Sequence, residues 1–136
     1  MIVLGSTGSI GKNALSLAGE YGLDITALAC ASNYKLLNAQ IKDFAPKLVF
    51  IKDKKLVKNV KHSRVFCGDI KEFLRVCASE CDSSKTTLIN ALVGFGGLVP
   101  SKLAGELGFH LALANKESLV AGGAFLDTTK ITPIDS

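Results

Sequence analysis

Three glycines within seven residues, directly behind the first apolar run, restrict this chain more than any other feature. Ile2-Val3-Leu4 reads as a short buried strand, and Gly5-Ser6-Thr7-Gly8-Ser9-Ile10-Gly11 follows it and opens a helix-like segment. A strand that passes into a helix through such a loop needs glycine for separate reasons. One permits the tight turn, one lets backbone approach a pyrophosphate, and one lets helix pack close to strand. The helix start then offers free N–H groups to phosphate oxygens. The spacing is GxxGxxG and not the commoner GxGxxG, but the strand before and the helix after supply the context that the motif requires. The plainer reading is a tight turn with no ligand. A kinase-type phosphate loop is nearly spelled by Gly11-Lys12. It fails because Ser6 stands where its first glycine belongs and Asn13 where a magnesium-binding Ser or Thr belongs.

The rest of the chain alternates in the same manner. Strands are predicted at 2–4, 25–31, 48–51, 65–67, 87–93 and 109–114, with another begun at 131–134. Helices are predicted from Ser9 to Tyr21 with Leu15 and Ala18 inward, from Tyr34 to Phe44, and from Lys54 to Lys61. Further ones run from Asp69 to Ala78, from the first turn at Pro100 to Gly108, and from Lys116 to Leu126. Gly22 and Pro46 read as stops, Asp53 and Asp69 as N-caps, and Ser83 to Lys85 as polar loop. Strand–helix alternation implies an α/β fold: a doubly wound, Rossmann-like, mostly parallel sheet with helices on both faces. We expect one dinucleotide-binding, Rossmann-like domain over residues 1–136. The sequence stops at Ser136 with a strand just begun, which reads as truncation.

Composition excludes several classes. With 136 residues, 48% of them hydrophobic, the chain holds one ordinary core and no disordered tract. No run of about 18 apolar residues suggests a membrane span, and the start lacks a signal peptide's basic region. A cytoplasmic protein is expected. The net charge of +4 is concentrated in Lys52, Lys54, Lys55, Lys58 and Lys61. No aromatics interleave with them, so they read as the solvated face of a short helix and not as a nucleic-acid surface. Cys30, Cys67, Cys77 and Cys81 form no CxxC pair, and neither His62 nor His110 has ligand spacing to them. Reduced thiols are expected.

The end of the second strand bears on which dinucleotide fits. A carboxylate there would bind a ribose 2′-hydroxyl and repel a 2′-phosphate. Ala31-Ser32-Asn33-Tyr34-Lys35 has none, which favours NADP, although Ser32 or Asn33 also suits an ordinary helix cap. Asn115, Lys116 and Glu117 follow an apolar strand, at the carboxyl edge where doubly wound folds bind ligands.

With the glycine loop, two further strings, Leu113-Ala114-Asn115-Lys116-Glu117-Ser118-Leu119-Val120 and Ile131-Thr132-Pro133-Ile134-Asp135-Ser136, make the chain resemble the 1-deoxy-D-xylulose 5-phosphate reductoisomerase family. The motifs stand in the family's order and span the sequence. The resemblance implies NADPH-dependent conversion of 1-deoxy-D-xylulose 5-phosphate to 2-C-methyl-D-erythritol 4-phosphate in non-mevalonate isoprenoid synthesis. Retro-aldol cleavage and re-addition would precede hydride reduction. A divalent metal (Mg²⁺, Mn²⁺ or Co²⁺) and a homodimer are also implied. Residue by residue, Thr7, Gly8, Ser9 and Ile10, within Gly5 to Gly11, match the pyrophosphate loop. Ala31, Ser32 and Asn33 match the 2′-phosphate site, and Asn115 and Glu117 further NADPH contacts. Lys116 and Ser136 match substrate contacts, and Asp135 a metal ligand. The family commonly carries Gly-Lys where Ala31-Ser32 stands, and Lys35 is a candidate substitute for that lysine. The alternatives are a non-catalytic NADP-sensing module or another NADP-dependent dehydrogenase such as aspartate-semialdehyde dehydrogenase, which would need a catalytic cysteine in a suitable context.

Overall fold

In the computed structural model, which describes residues 1–92, 98–113 and 131–133, seven strands form one sheet. They are β1 Ile2–Leu4, β2 Ala27–Cys30, β3 Leu48–Ile51, β4 Val65–Phe66, β5 Thr87–Asn90, β6 His110–Leu113 and β7 Ile131–Pro133. Their order is β4-β3-β2-β1-β5-β6-β7, and every pairing is parallel. The chain starts at the centre, winds outward to β4, then returns to the other side of β1. Ile2 is therefore flanked by Ala27 on one side and Leu88 on the other. This is the doubly wound α/β fold that strand–helix alternation predicts. The reversal between β1 and β5 is where such sheets bind ligands.

β1, β2 and β3 are buried along their whole length, as strands covered on both faces must be. Alternate residues feed two cores. Ile2, Leu4, Ala29, Leu48 and Phe50 face α3 (Ile70–Glu80) and α4 (Leu98–Glu106), packing with Phe73, Leu74, Cys77 and Leu103. Phe73 sits between Phe50 and Phe66, with ring centroids 5.4 and 5.6 Å away. Val3, Leu28, Val49 and Ile51 face the other way, onto Leu15 and Ala18 of α1 (Ser9–Glu20) and Leu37 of α2 (Tyr34–Phe44). No helix among the described residues is long and apolar enough to cross a membrane.

The helix ends follow local chemistry. Gly22 takes φ +65°, and Leu23 N–H reaches back to Ala18 O while Gly22 N–H reaches Gly19 O. That pair of bonds is the Schellman stop a glycine permits. Asp53 and Asp69 cap as predicted, each carboxylate accepting a backbone N–H two residues on.

α2 ends at Phe44 as expected, two residues before Pro46, with Ala45 in the left-handed conformation at φ 47°. Several other boundaries differ from expectation. Lys54–Asn59 is a 3₁₀ helix and not an α-helix. Lysines at 54, 55 and 58 repel at the spacing where α-helical side chains meet, and six residues are too few to nucleate against that. Ser83–Lys85 is a 3₁₀ turn capped by Asp82. α3 runs on to Glu80, and β4 stops before Cys67. β2 is shorter than predicted, and α4 starts at Leu98 and ends at Glu106. β5 ends at Asn90, whose side-chain oxygen accepts the Leu92 N–H and draws the chain off the sheet. The helix predicted over 116–126 lies outside the described residues.

Candidate functional site

The glycine loop closes the carboxyl end of β1 and starts α1. Gly5, at φ +81°, turns the chain so that both its N–H and that of Ser6 donate to Ala29 O, at 2.8 and 2.9 Å. The turn is thereby fastened to β2. A Cβ at Gly5 would lie 2.8 Å from Ala91 O, and one at Gly11 only 2.1 Å from Gly5 O. These two glycines serve the turn and the close packing of helix on strand. Gly8 is different. Its φ is −79°, and a Cβ there would meet nothing nearer than Gly5 O at 3.6 Å. Gly8 is the exposed N-cap of α1, and no side chain caps the helix. The first-turn N–H groups therefore stand open where backbone can meet an anion. Thr7 and Ile10 are half-buried beside it, and Ser9 is exposed.

A residue not singled out from the sequence holds this loop. Gln40, buried on α2, donates from Nε2 to Ser6 O at 2.8 Å. Gln40 Oε1 and the hydroxyl of the fully buried Ser6 have no hydrogen-bond partner among the described residues. The signal was present: Gln40 is a polar residue three positions after Leu37 on the buried stripe of α2.

The second rim is the end of β2. Ala31, Ser32 and Asn33 are exposed there, and Asn33 is the residue that caps α2, its side-chain oxygen accepting Leu36 N–H at 3.2 Å. Its amide nitrogen keeps its donor capacity. Behind this rim lies a cavity of about 350 Å³, lined by Ala29, Ala31, Phe50, Lys52, Ile70 and Leu92 among others. It runs along the carboxyl ends of the strands on the α3/α4 side. Lys52 does not belong with the lysine-rich helix face expected from the sequence. It follows β3 directly and lines the cavity. Beyond the reversal point, Asn90 is fully buried and donates to the buried Ser101 hydroxyl at 2.6 Å, tying β5 to α4.

The described structure thus fastens the loop of Gly5, Thr7, Gly8, Ser9, Ile10 and Gly11 through Gly5 and Ser6 to β2, whose end carries Ala31, Ser32 and Asn33. Asn115, Lys116, Glu117, Asp135 and Ser136 lie outside the described residues. No group of three or more His, Cys, Asp or Glu that could hold a metal occurs among the described residues. The four cysteines are free. Burial pushes the Cys30 thiol up to about 11 and the Cys77 thiol up to about 12. Cys81 is the residue after α3, packs against the same core as Cys77, and its thiol donates to Cys77 O at 3.2 Å.

Sheet order, glycine turn and uncapped helix start together define a Rossmann-like α/β domain. Comparison with known proteins narrows this. The family model for 1-deoxy-D-xylulose 5-phosphate reductoisomerase matches residues 1–123, and the chain belongs to that family. It is 59% identical to the 1-deoxy-D-xylulose 5-phosphate reductoisomerase of Campylobacter fetus subsp. fetus and 54% to that of Campylobacter hominis. All of this chain aligns, and it spans 38% and 37% of the length of those relatives. Among solved structures, the Zymomonas mobilis reductoisomerase in complex with NADPH superposes with a TM-score of 0.82 at 30% identity, over 99% of this chain and 38% of that one. A reductoisomerase in complex with NADPH, fosmidomycin and magnesium superposes with a TM-score of 0.80 at 31% identity, over 99% of this chain and 36% of that one.

Proposed function

We propose that this chain is the NADPH-binding part of an enzyme that converts 1-deoxy-D-xylulose 5-phosphate to 2-C-methyl-D-erythritol 4-phosphate. The observation that carries the reading is the uncapped start of α1. It lies under a glycine with room for a Cβ, fastened to a β2 edge that holds no carboxylate. Those features fit a dinucleotide with a 2′-phosphate. The backbone of Thr7, Gly8, Ser9 and Ile10 would hold the pyrophosphate, with Gly5 and Gly11 shaping the turn. Ala31, Ser32 and Asn33 would hold the 2′-phosphate end, with Asn115 and Glu117 as further contacts. Bound NADPH supplies the hydride for the reduction.

In this reading the Lys116 ammonium binds and orients substrate oxygens electrostatically. Ser136 donates a hydrogen bond to the phosphorylated sugar substrate. Asp135 is a hard-oxygen ligand suited to Mg²⁺, Mn²⁺ or Co²⁺, and such a site needs several further oxygens. The relatives solved with magnesium support the metal. The remaining catalytic and C-terminal helical domains, a homodimeric assembly and a cytoplasmic location complete the proposal. No nucleic-acid or membrane partner is part of it.

The test uses the full-length gene product. NADPH oxidation is followed by absorbance with 1-deoxy-D-xylulose 5-phosphate and Mn²⁺. Substrate-dependent oxidation is expected, with Lys116→Ala and Asp135→Ala each lowering it by at least about 100-fold, the scale of losing a preorganised charge contact. A folded, NADPH-binding protein that oxidises nothing would refute the activity and leave a binding or sensing module.

A further inference from the structure

We infer that Lys52 is the cationic partner of the cofactor's 2′-phosphate and so the residue that sets the preference for NADP over NAD. The inference rests on the cofactor reading proposed above. Its basis is cross-strand placement. Cys30 pairs with Ile51 in the β2–β3 register, so Lys52 is the next residue over from Ala31. Lys52 N–H donates to Cys30 O and Asp53 N–H to Ala31 O, both at 3.0 Å. Neighbouring strands run about 4.8 Å apart, a gap that a lysine side chain spans easily.

Side-chain alternation selects the face. Leu48 and Phe50 point toward α3 and α4, and Lys52 continues that series into the cavity it lines with Ala29, Ala31 and Ile70. It is the cation among the described lining residues, in a wall that is otherwise apolar. An apolar slot with one ammonium at its rim suits a flat base whose ribose carries an anion.

Neither the acid next to Lys52 in sequence nor the one next to the cavity-lining Ile70 is turned to it. Asp53 and Asp69 are turned to backbone N–H groups, of Lys55 at 3.0 Å and Lys71 at 2.9 Å. Ala31-Ser32 carries no charge at the end of β2, and Lys52 supplies one from the adjacent strand. Lys35, the substitute suggested by sequence proximity, sits on the exposed first turn of α2 and does not line the cavity.

The experiment measures binding by the full-length protein. NADPH and NADH are titrated by fluorescence, and 2′,5′-ADP and 5′-AMP by competition. Lys52→Ala should weaken NADPH and 2′,5′-ADP by about 10- to 100-fold while moving NADH and 5′-AMP by no more than about two-fold, as expected for one charge-assisted contact. Lys52→Arg should keep the discrimination, and Lys35→Ala should leave it intact. Undiminished discrimination in Lys52→Ala, or equal weakening of all four ligands, overturns the inference alone. Equal binding of NADPH and NADH by the unmutated protein overturns the cofactor reading and the inference together.

Discussion

Gly8 and Gly11 are three positions apart and differ in what a methyl group would meet. At Gly11 it would press on the Gly5 carbonyl at 2.1 Å, and backbone cannot swing aside as a side chain can. Gly11→Ala should destabilise the protein by about 1–3 kcal/mol or more, the range for overpacking a dense site. Gly8→Ala should leave stability within about 0.5 kcal/mol yet weaken NADPH, because the new methyl occupies the open space by the helix start. Urea unfolding with NADPH titration reads both effects, and a Gly8→Ala protein that binds NADPH normally would remove the pyrophosphate from that position. The sequence showed that glycines were needed here but not which glycine did what, since GxxGxxG does not align simply with the commoner spacing. Lys52 was illegible for another reason. Along the chain it sits among lysines, and its partner residues on β2 are some twenty positions earlier.

Elements were legible where local signals agreed. α2 has its cap at Asn33, its apolar stripe and its predicted limits, and the structure returns Tyr34–Phe44. Two devices share its stop, Pro46 and the residue before it. The exposed Ala45 holds φ 47°, a left-handed conformation that costs an L-residue about 1–2 kcal/mol. Ala45→Gly should therefore stabilise the protein by about 0.5–1 kcal/mol after the unfolded chain's added freedom is deducted. A rise in the urea midpoint checks this; a fall would mean that the methyl group is used. The lysine-rich segment is a helix as read, but a 3₁₀ one that ends at Asn59 and not at Lys61. Like-charge repulsion over only six residues leaves the tighter, shorter form.

At the scale of the whole molecule, alternation of strand and helix gave the parallel sheet, whereas the order of strands depends on long-range pairing that no local window contains. The two cores also carry a pH signature. Cys30 and Cys77 lie on opposite faces of the sheet, and burial raises their thiols to about 11 and about 12. Unfolded, such thiols ionise near pH 9, so between that value and the folded ones the native state holds more protons. Stability from these groups is complete below about pH 9 and falls above it by about 1.4 kcal/mol per pH unit for each thiol. Unfolding midpoints measured from pH 8 to 11 should fall less steeply in Cys77→Ala than in the unmutated protein, and parallel profiles would show that the thiol is not the cause. A last consequence concerns the bond from Gln40 to Ser6. It clamps the helix that begins at the β2 rim onto the glycine turn, so that in the proposed function an incoming dinucleotide would meet one stiff piece and not two that it must gather. The entropy of aligning the two contact regions is then lost once, when the protein folds, and each round of cofactor exchange starts from a socket already set.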